Sequence, residues 1–259
     1  MVKLLDNGYL NQIDVWGSDQ RIIESARMST AKGFLGWEPG PCPVCEGRGS
    51  TESMGHLFAP CLSCEGKGKI AGDAKLLKRL WDYGHSTPFE MAGLTIEVKA
   101  PIMVFREWHR HRVPFGYSEM SARYVPLPDE NYVPTVDRLM VRGGTNKQAQ
   151  STGTALHDVD AIAWLAELAD VYEHAQRVYK LGLGMGVPKE LARLPVPVGR
   201  YSAMRATSNL RGWLGFCKLR AAETAQYEIR VYAHAVGDLI RELFPRTYEV
   251  AAASVGLAT

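Results

Sequence analysis

The chain has 259 residues, with 30 Lys and Arg against 28 Asp and Glu and a formal net charge of +2. At 46% hydrophobic and 22% charged, it has the composition of a globular protein with ample core for one large domain or two small ones. Near-neutral charge excludes a whole-chain electrostatic grip on nucleic acid, so any anion binding must come from local arginine clusters. No apolar run approaches the roughly 18 to 20 residues that span a membrane. The start, Met1-Val2-Lys3-Leu4-Leu5-Asp6, lacks a signal-peptide core. A cytoplasmic protein is expected, with neither membrane nor nucleic acid as partner.

In chain order, residues 18–29 read as a helix, with Ser18 as N-cap and Ile22, Ile23 and Ala26 on one face. Glycines and prolines over 33–41 end that pattern. A glycine-rich segment from Cys42 to about Gly68 follows. Lys75–Tyr83 returns to helical spacing before Gly84, a C-cap candidate. Leu94–Val98 alternates as a strand. Pro101 opens a helix reaching Arg112, with Pro114 at the exit. Residues 141–154 read as a mobile surface loop. A long helix carries Ile162, Leu165, Leu168, Tyr172, Ala175 and Tyr179 on one face. Pro188 starts a short helix, Tyr201–Ser208 reads as a strand, and Leu210–Leu219 and Thr224–Leu243 read as helices. The mixture is α+β.

Four of the five cysteines form a repeated motif, Cys42-Pro-Val-Cys45-Glu-Gly-Arg-Gly and Cys61-Leu-Ser-Cys64-Glu-Gly-Lys-Gly. In each, two thiolates face one cation while the glycines let backbone N–H groups approach sulfur. Two such knuckles make a closed four-thiolate site, the pattern of structural zinc. The motif resembles half of a DnaJ-type cysteine-rich module. We expect residues 40–69 to be a metal-stapled insert. A redox pair is the lesser reading, since one Cys-x-x-Cys would suffice. Cys217, in an apolar helical context, reads as packed.

The other concentration of chemistry is REWHRHRVPFGYSEMSARY, residues 106–124. Arginines stay charged at any working pH and make planar, two-pronged contacts with phosphates and carbonyl edges. On residue types alone, a solvated basic face or structural ion pairs fits better. A metal reading of His109-x-His111 lacks a completing carboxylate. Ser121 lacks a Gly-x-Ser-x-Gly elbow, so its hydroxyl suits phosphate or ribose better than nucleophilic attack.

The order of the motifs changes that balance. Arg110-His111-Arg112, eight residues, then Ser121, with Glu119 before and Arg123-Tyr124 after, resembles the signature of the flavin-dependent thymidylate synthases. His85-Ser86-Thr87-Pro88-Phe89-Glu90 resembles that family's HxSPFE segment. The stretch leading to Trp108, then Pro188-Lys189-Glu190-Leu191-Ala192-Arg193, and finally Asn209-Leu210-Arg211, Leu219-Arg220 and Ala225-Gln226-Tyr227-Glu228-Ile229, resemble its later blocks in order. Apart from the cysteine segment, the matches run from about Ser25 to Glu249.

The resemblance implies a fold with a central antiparallel sheet flanked by helices. It further implies one catalytic domain over 1–259 and a homotetramer with active sites between subunits. The implied reaction is conversion of dUMP to dTMP with FAD, NADPH and methylenetetrahydrofolate. Arg220 matches the arginine assigned to ionising N3 of uracil. Glu107, Arg110, Glu119, Ser121, Arg123 and Arg193 match nucleotide-binding positions. Thr87, Glu90, Arg110, His111, Arg112, Glu119, Asn209, Arg211 and Gly215 match flavin-binding positions. Departures are Glu107 for glutamine, Ser118 for asparagine, and Gly215 and Thr224 for asparagine and histidine. The carboxylate at 107 needs a cation beside a phosphate, and Arg106 or Arg123 is the expected source. The other reading of Glu107 is a changed pyrimidine preference, UMP or dCMP. A zinc-ribbon nucleic-acid binder is the rival from another class, and it leaves the later blocks unexplained.

Overall fold

The computed structural model describes residues 1–53, 57–139 and 156–257. The stretch 141–154, expected as a surface loop, lies outside them. Strands β1 (Val2–Leu4) and β2 (Gly8–Trp16) open the chain as an antiparallel pair with Val2 opposite Leu10. Asn11, Gln12 and Asp14 blur the alternation of β2, which is why its sequence does not announce it. Helix α1 (Asp19–Arg27) begins where Ser18 Oγ accepts from Arg21 N at 3.2 Å, the expected cap. The cysteine segment forms two small antiparallel pairs. β3 (Gly40–Pro41) meets β6 (Lys69–Ile70), and β4 (Ser50–Ser53) meets β5 (Leu57–Pro60).

Helix α2 (Asp73–Asp82) stops at Gly84, whose φ of 68° and N–H bond to Trp81 O at 3.0 Å make the expected left-handed stop. Strand β7 (Gly93–Pro101) leads directly into helix α3 (Ile102–Trp108). That helix is four residues shorter than the expected end at Arg112. Beyond Trp108 the bonding tightens to three-residue spacing, Arg110 N to Glu107 O at 3.3 Å and His111 N to Trp108 O at 3.0 Å. Strand β8 (Gly116–Glu119), α4 (Asp158–Gly184), α5 (Lys189–Ala192), β9 (Tyr201–Asn209), α6 (Leu210–Arg220), α7 (Tyr227–Leu243) and α8 (Pro245–Ala251) complete the order. Helix α7 starts three residues after Thr224, because Ala225 N turns back to Ala222 O at 2.9 Å. Among the described residues, no helix is long and apolar enough to cross a membrane.

The residues cluster into two units. One holds Met1–Ile13, Thr95–Thr207 and Leu219–Ala235; the other holds Asp14–Leu94, Ser208–Lys218 and Val236–Thr259. The sheet, in the order β1-β2-β7-β9-β8, is the central sheet of an α+β fold. In the first unit its inner face buries Ile96, Val98 and Ala100 of β7 and Met204 and Ala206 of β9. Each large apolar side chain so buried contributes roughly 1.5–3 kcal/mol. Tyr232 of α7 crosses this face, donating to Lys99 O at 2.7 Å with its ring 6.0 Å from that of Trp108.

In the second unit, Asp19 at the start of α1 accepts from Arg246 N at 2.8 Å, Thr247 N at 3.1 Å and Thr247 Oγ1 at 2.6 Å. It thereby caps α8, whose first turn has no partner of its own. Asp73 closes the neck of the cysteine segment. It is paired with Arg27, accepts from Leu35 N at 2.8 Å, and donates its own N–H to Gly36 O at 2.8 Å.

Gly8 of β2 leaves no room for a methyl group. A Cβ there would lie 2.1 Å from Tyr232 Oη, 2.7 Å from Leu4 O and 2.9 Å from Lys99 O. Gly8→Ala is expected to lower stability by about 1–3 kcal/mol. A chemical denaturation midpoint equal to that of the unchanged protein would contradict this packing.

Candidate active site

In the first unit, Arg220 closes α6 and sits largely buried in a three-way clasp. Its Nη1 donates to Glu107 Oε2 at 2.6 Å, its Nη2 to Glu107 O at 2.9 Å, and its Nε to His111 Nε2 at 3.0 Å. The cation that answers Glu107 is therefore Arg220, and not Arg106 or Arg123 as the sequence suggested. Arg123 instead lies 3.3 Å from Glu190. Separation along the chain hid the true partner.

The clasp sets the protonation of its members. Burial, helped by the Arg220 charge, pulls His111 down to about 4. Since Nε2 accepts from Arg220, the ring proton belongs on Nδ1. Burial raises the Glu107 carboxyl above the usual carboxylate range, opposed by Arg220 and reinforced by the charge of Glu228. Burial alone would also raise Glu228. Bonds from Gln226 Nε2 at 2.7 Å and Arg138 Nη2 at 3.0 Å nevertheless hold it low. Tyr132 Oη donates to it as well, at 3.0 Å. Tyr117 steadies the turn beneath, donating to His111 O at 2.6 Å. Tyr117, Tyr132 and Arg138 carry no motif in the sequence that marks them, and the roles of Tyr132 and Arg138 come from a partner distant along the chain.

A second group gathers around Glu190. Arg123 pairs with its carboxylate and Arg193 Nε donates to its carbonyl at 3.3 Å. Ser121 Oγ accepts from Arg123 N at 3.3 Å. Glu119 accepts from Ser202 Oγ at 2.9 Å. Arg110 and Arg112 are exposed on the turn after α3.

Thr87, Glu90, Asn209, Arg211 and Gly215 belong to the second unit. Glu90 pairs with Arg211. Asn209 Oδ1 accepts from Gly212 N at 2.9 Å, which caps α6. A cavity of ≈ 600 Å³ is lined by Trp81, Ser86, Phe89, Arg211, Gly215 and Lys218, among others. Its charged lining is Arg211, which pairs with Glu90, together with Lys218 and Asp82, and its aromatic lining includes Trp81 and Phe89. A Cβ at Gly215 would meet nothing within 4 Å, so this residue offers a ligand only backbone and space.

The four cysteines of the insert are buried, with their sulfurs all within 4.8 Å of one another. The two knuckles mirror each other. Cys42 N bonds to Gly68 O and Cys61 N to Gly49 O, both at 2.8 Å. Gly49 N and Gly68 N donate to Cys45 and Cys64 sulfur, both at 3.2 Å. Gly68 has φ +67°, and a Cβ there would strike Gly47 O at 2.3 Å, so only glycine fits. N–H groups of Cys64 and Ser63 draw the Cys61 thiol down to about 7. Cys217 is buried and its thiol is pushed up to about 12 by desolvation, as suits a packed residue.

A family model described as "Thymidylate synthase complementing protein" matches residues 12–246. The chain belongs to this family, that of the flavin-dependent thymidylate synthases. The flavin-dependent thymidylate synthase of Thermosipho africanus is 32% identical over 247 residues, covering 95% of this chain and 92% of that one. An enzyme of the same name from Thermus thermophilus is 33% identical over 244 residues, covering 94% and 75%. Among solved structures, the UMP/dUMP methylase PolB from Streptomyces cacaoi, bound with 5-Br dUMP, aligns over 100% of both chains. Its TM-score is 0.75 and its identity 25%.

The clasp predicts that His111 is neutral at pH 5.5, well below the ordinary titration of histidine. Imidazole nitrogen shifts in NMR would show one protonated and one bare nitrogen there. A doubly protonated ring at that pH would contradict the clasp.

Proposed function

We propose that the protein converts dUMP to dTMP, with methylenetetrahydrofolate as carbon donor and NADPH as reductant. The observation that carries this reading is Arg220, a guanidinium immobilised before any substrate arrives. To make C5 of a pyrimidine nucleophilic, charge must move to N3 and the adjacent carbonyl oxygen. A preset cation lowers that barrier without reorganisation. Bound FAD would supply the hydride chemistry. Glu107, Arg110, Glu119, Ser121, Arg123 and Arg193 are proposed to hold the nucleotide with Arg220. Thr87, Glu90, Arg110, His111, Arg112, Glu119, Asn209, Arg211 and Gly215 are proposed to hold the flavin. His111, kept neutral, adds no charge to the site.

The second reading keeps the chemistry and changes the pyrimidine to UMP or dCMP. It is favoured by Glu107 lying at the Arg220 guanidinium. We expect purified protein to be yellow and to turn over dUMP in preference to UMP and dCMP in parallel assays. Preference for either of the latter would refute the dUMP reading, and the absence of any flavin absorbance would refute both.

The proposal includes a single catalytic domain, a cytoplasmic setting and a homotetramer. Helix α4 supports the last point. Trp164, Val171 and Val178 of the helix, and Met185 just past its end, recur every seven residues and stay 47%, 58%, 39% and 73% exposed. A stripe of that period suits a partner helix. Ile162, on the apolar face that the sequence spacing marks with Tyr179, is likewise 61% exposed.

For the insert we infer a structural zinc. A tetrahedral site with Zn–S of about 2.3 Å has sulfur–sulfur edges of about 3.8 Å. Cys42 and Cys61 sulfurs lie 3.9 Å apart, and those of Cys45 and Cys64 3.7 Å apart. Four thiolates would leave the ion no open position, which gives it a role in folding the segment rather than in catalysis. Metal analysis should find about one zinc per chain. Its removal by chelation should expose residues 40–69 to protease. Metal-free protein with an intact, protease-resistant insert would contradict the assignment.

A further inference from the structure

The Glu107–Arg220 pair has unused bonding capacity. A guanidinium carries five N–H donors. Three of those of Arg220 are committed, one to His111 and two to Glu107. Two remain among the described residues. Glu107 uses Oε2 and its carbonyl on Arg220, which leaves Oε1. His111 can offer no acceptor, because its Nε2 is taken. The clasp thus presents donors beside a single carboxylate acceptor, all partly exposed, at 19% for Arg220 and 25% for Glu107.

A uracil edge is the complement of that pattern, since N3–H is a donor flanked by two carbonyl acceptors. We propose that Glu107 is a catalytic base for this protein, taking the N3 proton of the pyrimidine while Arg220 holds the neighbouring carbonyl oxygen. This rests on the reading that Arg220 meets the pyrimidine edge. In the step, the N3–H bond breaks and an O–H bond forms on Glu107. The electron pair stays on the ring, spread over N3 and the carbonyl oxygen, and raises the electron density at C5. The proton returns to N3 once the new carbon bond at C5 has formed. No oxidant or reductant is consumed.

The surroundings suit the role. Among the described residues, Arg220 at the end of α6 and Glu228 on α7 are the charges that act on Glu107, and His111 on the turn after α3 meets the same guanidinium. Burial and Glu228 make its carboxylate a stronger base than an exposed one, an effect that the Arg220 charge opposes. A glutamine could accept the N3–H bond equally well but could not take the proton.

The test compares the flavin-loaded protein with its Glu107→Gln variant, measuring dUMP affinity and single-turnover rate across pH. The expected result is dUMP affinity within about threefold and a rate about a hundredfold lower or more. The acid limb of the rate profile, which reports Glu107 ionisation, should vanish in the variant. In addition, N3-methyl-dUMP should bind the unchanged protein at least about tenfold more weakly than dUMP, a readout that does not need the variant to fold. A variant that keeps both rate and acid limb, or equal binding of the N3-methyl nucleotide, would overturn the proton-transfer role alone. Failure of the unchanged protein to bind dUMP would overturn the substrate reading beneath it as well.

Discussion

Arg220 must be answered on several sides at once, because a guanidinium withdrawn from water keeps its charge and its five donors. The Glu107 carboxylate answers the charge, while the Glu107 carbonyl and His111 Nε2 answer two more N–H groups. The early end of α3 makes this possible. The last carbonyls of a helix lack helical partners, so Glu107 O, free of an ordinary i+4 bond, can serve both Arg110 N and Arg220. A helix running on to Arg112 would have closed that carbonyl and carried His111 around the helix axis.

From this arrangement the electrostatics follow. His111 is neutral because it is withdrawn from water and a cation already occupies its side of the cluster, while burial raises the Glu107 carboxyl and that same cation opposes the rise. Glu228 adds a second negative charge nearby and is itself restrained by Arg138, Gln226 and Tyr132. The clasp leaves donors of Arg220 and one oxygen of Glu107 available among the described residues.

The cysteine insert solves a different problem. It has few large apolar residues to make a core, so the four sulfurs take that place. Glycines at 49 and 68 let each knuckle lie against the other's backbone. Asp73 ties entry to exit through its ion pair with Arg27 and its bonds to Leu35 and Gly36.

Much of this was legible in one dimension. Ser18 and Gly84 mark helix ends because capping is local chemistry. The Cys-x-x-Cys repeats specify their own loops, and the order of the motifs specifies the family. The weakly patterned β2, the short β8 and α8 were not legible. Strands gain definition from partners distant in sequence, and α8 is capped by Asp19, 228 positions from Thr247. The site divides in the same way. Sequence alone named the candidate residues, since motif spacing is a property of the chain. Only the tertiary structure decided that Glu107 belongs to Arg220, 113 positions apart. Ion pairing and burial act through space, and no local pattern encodes them.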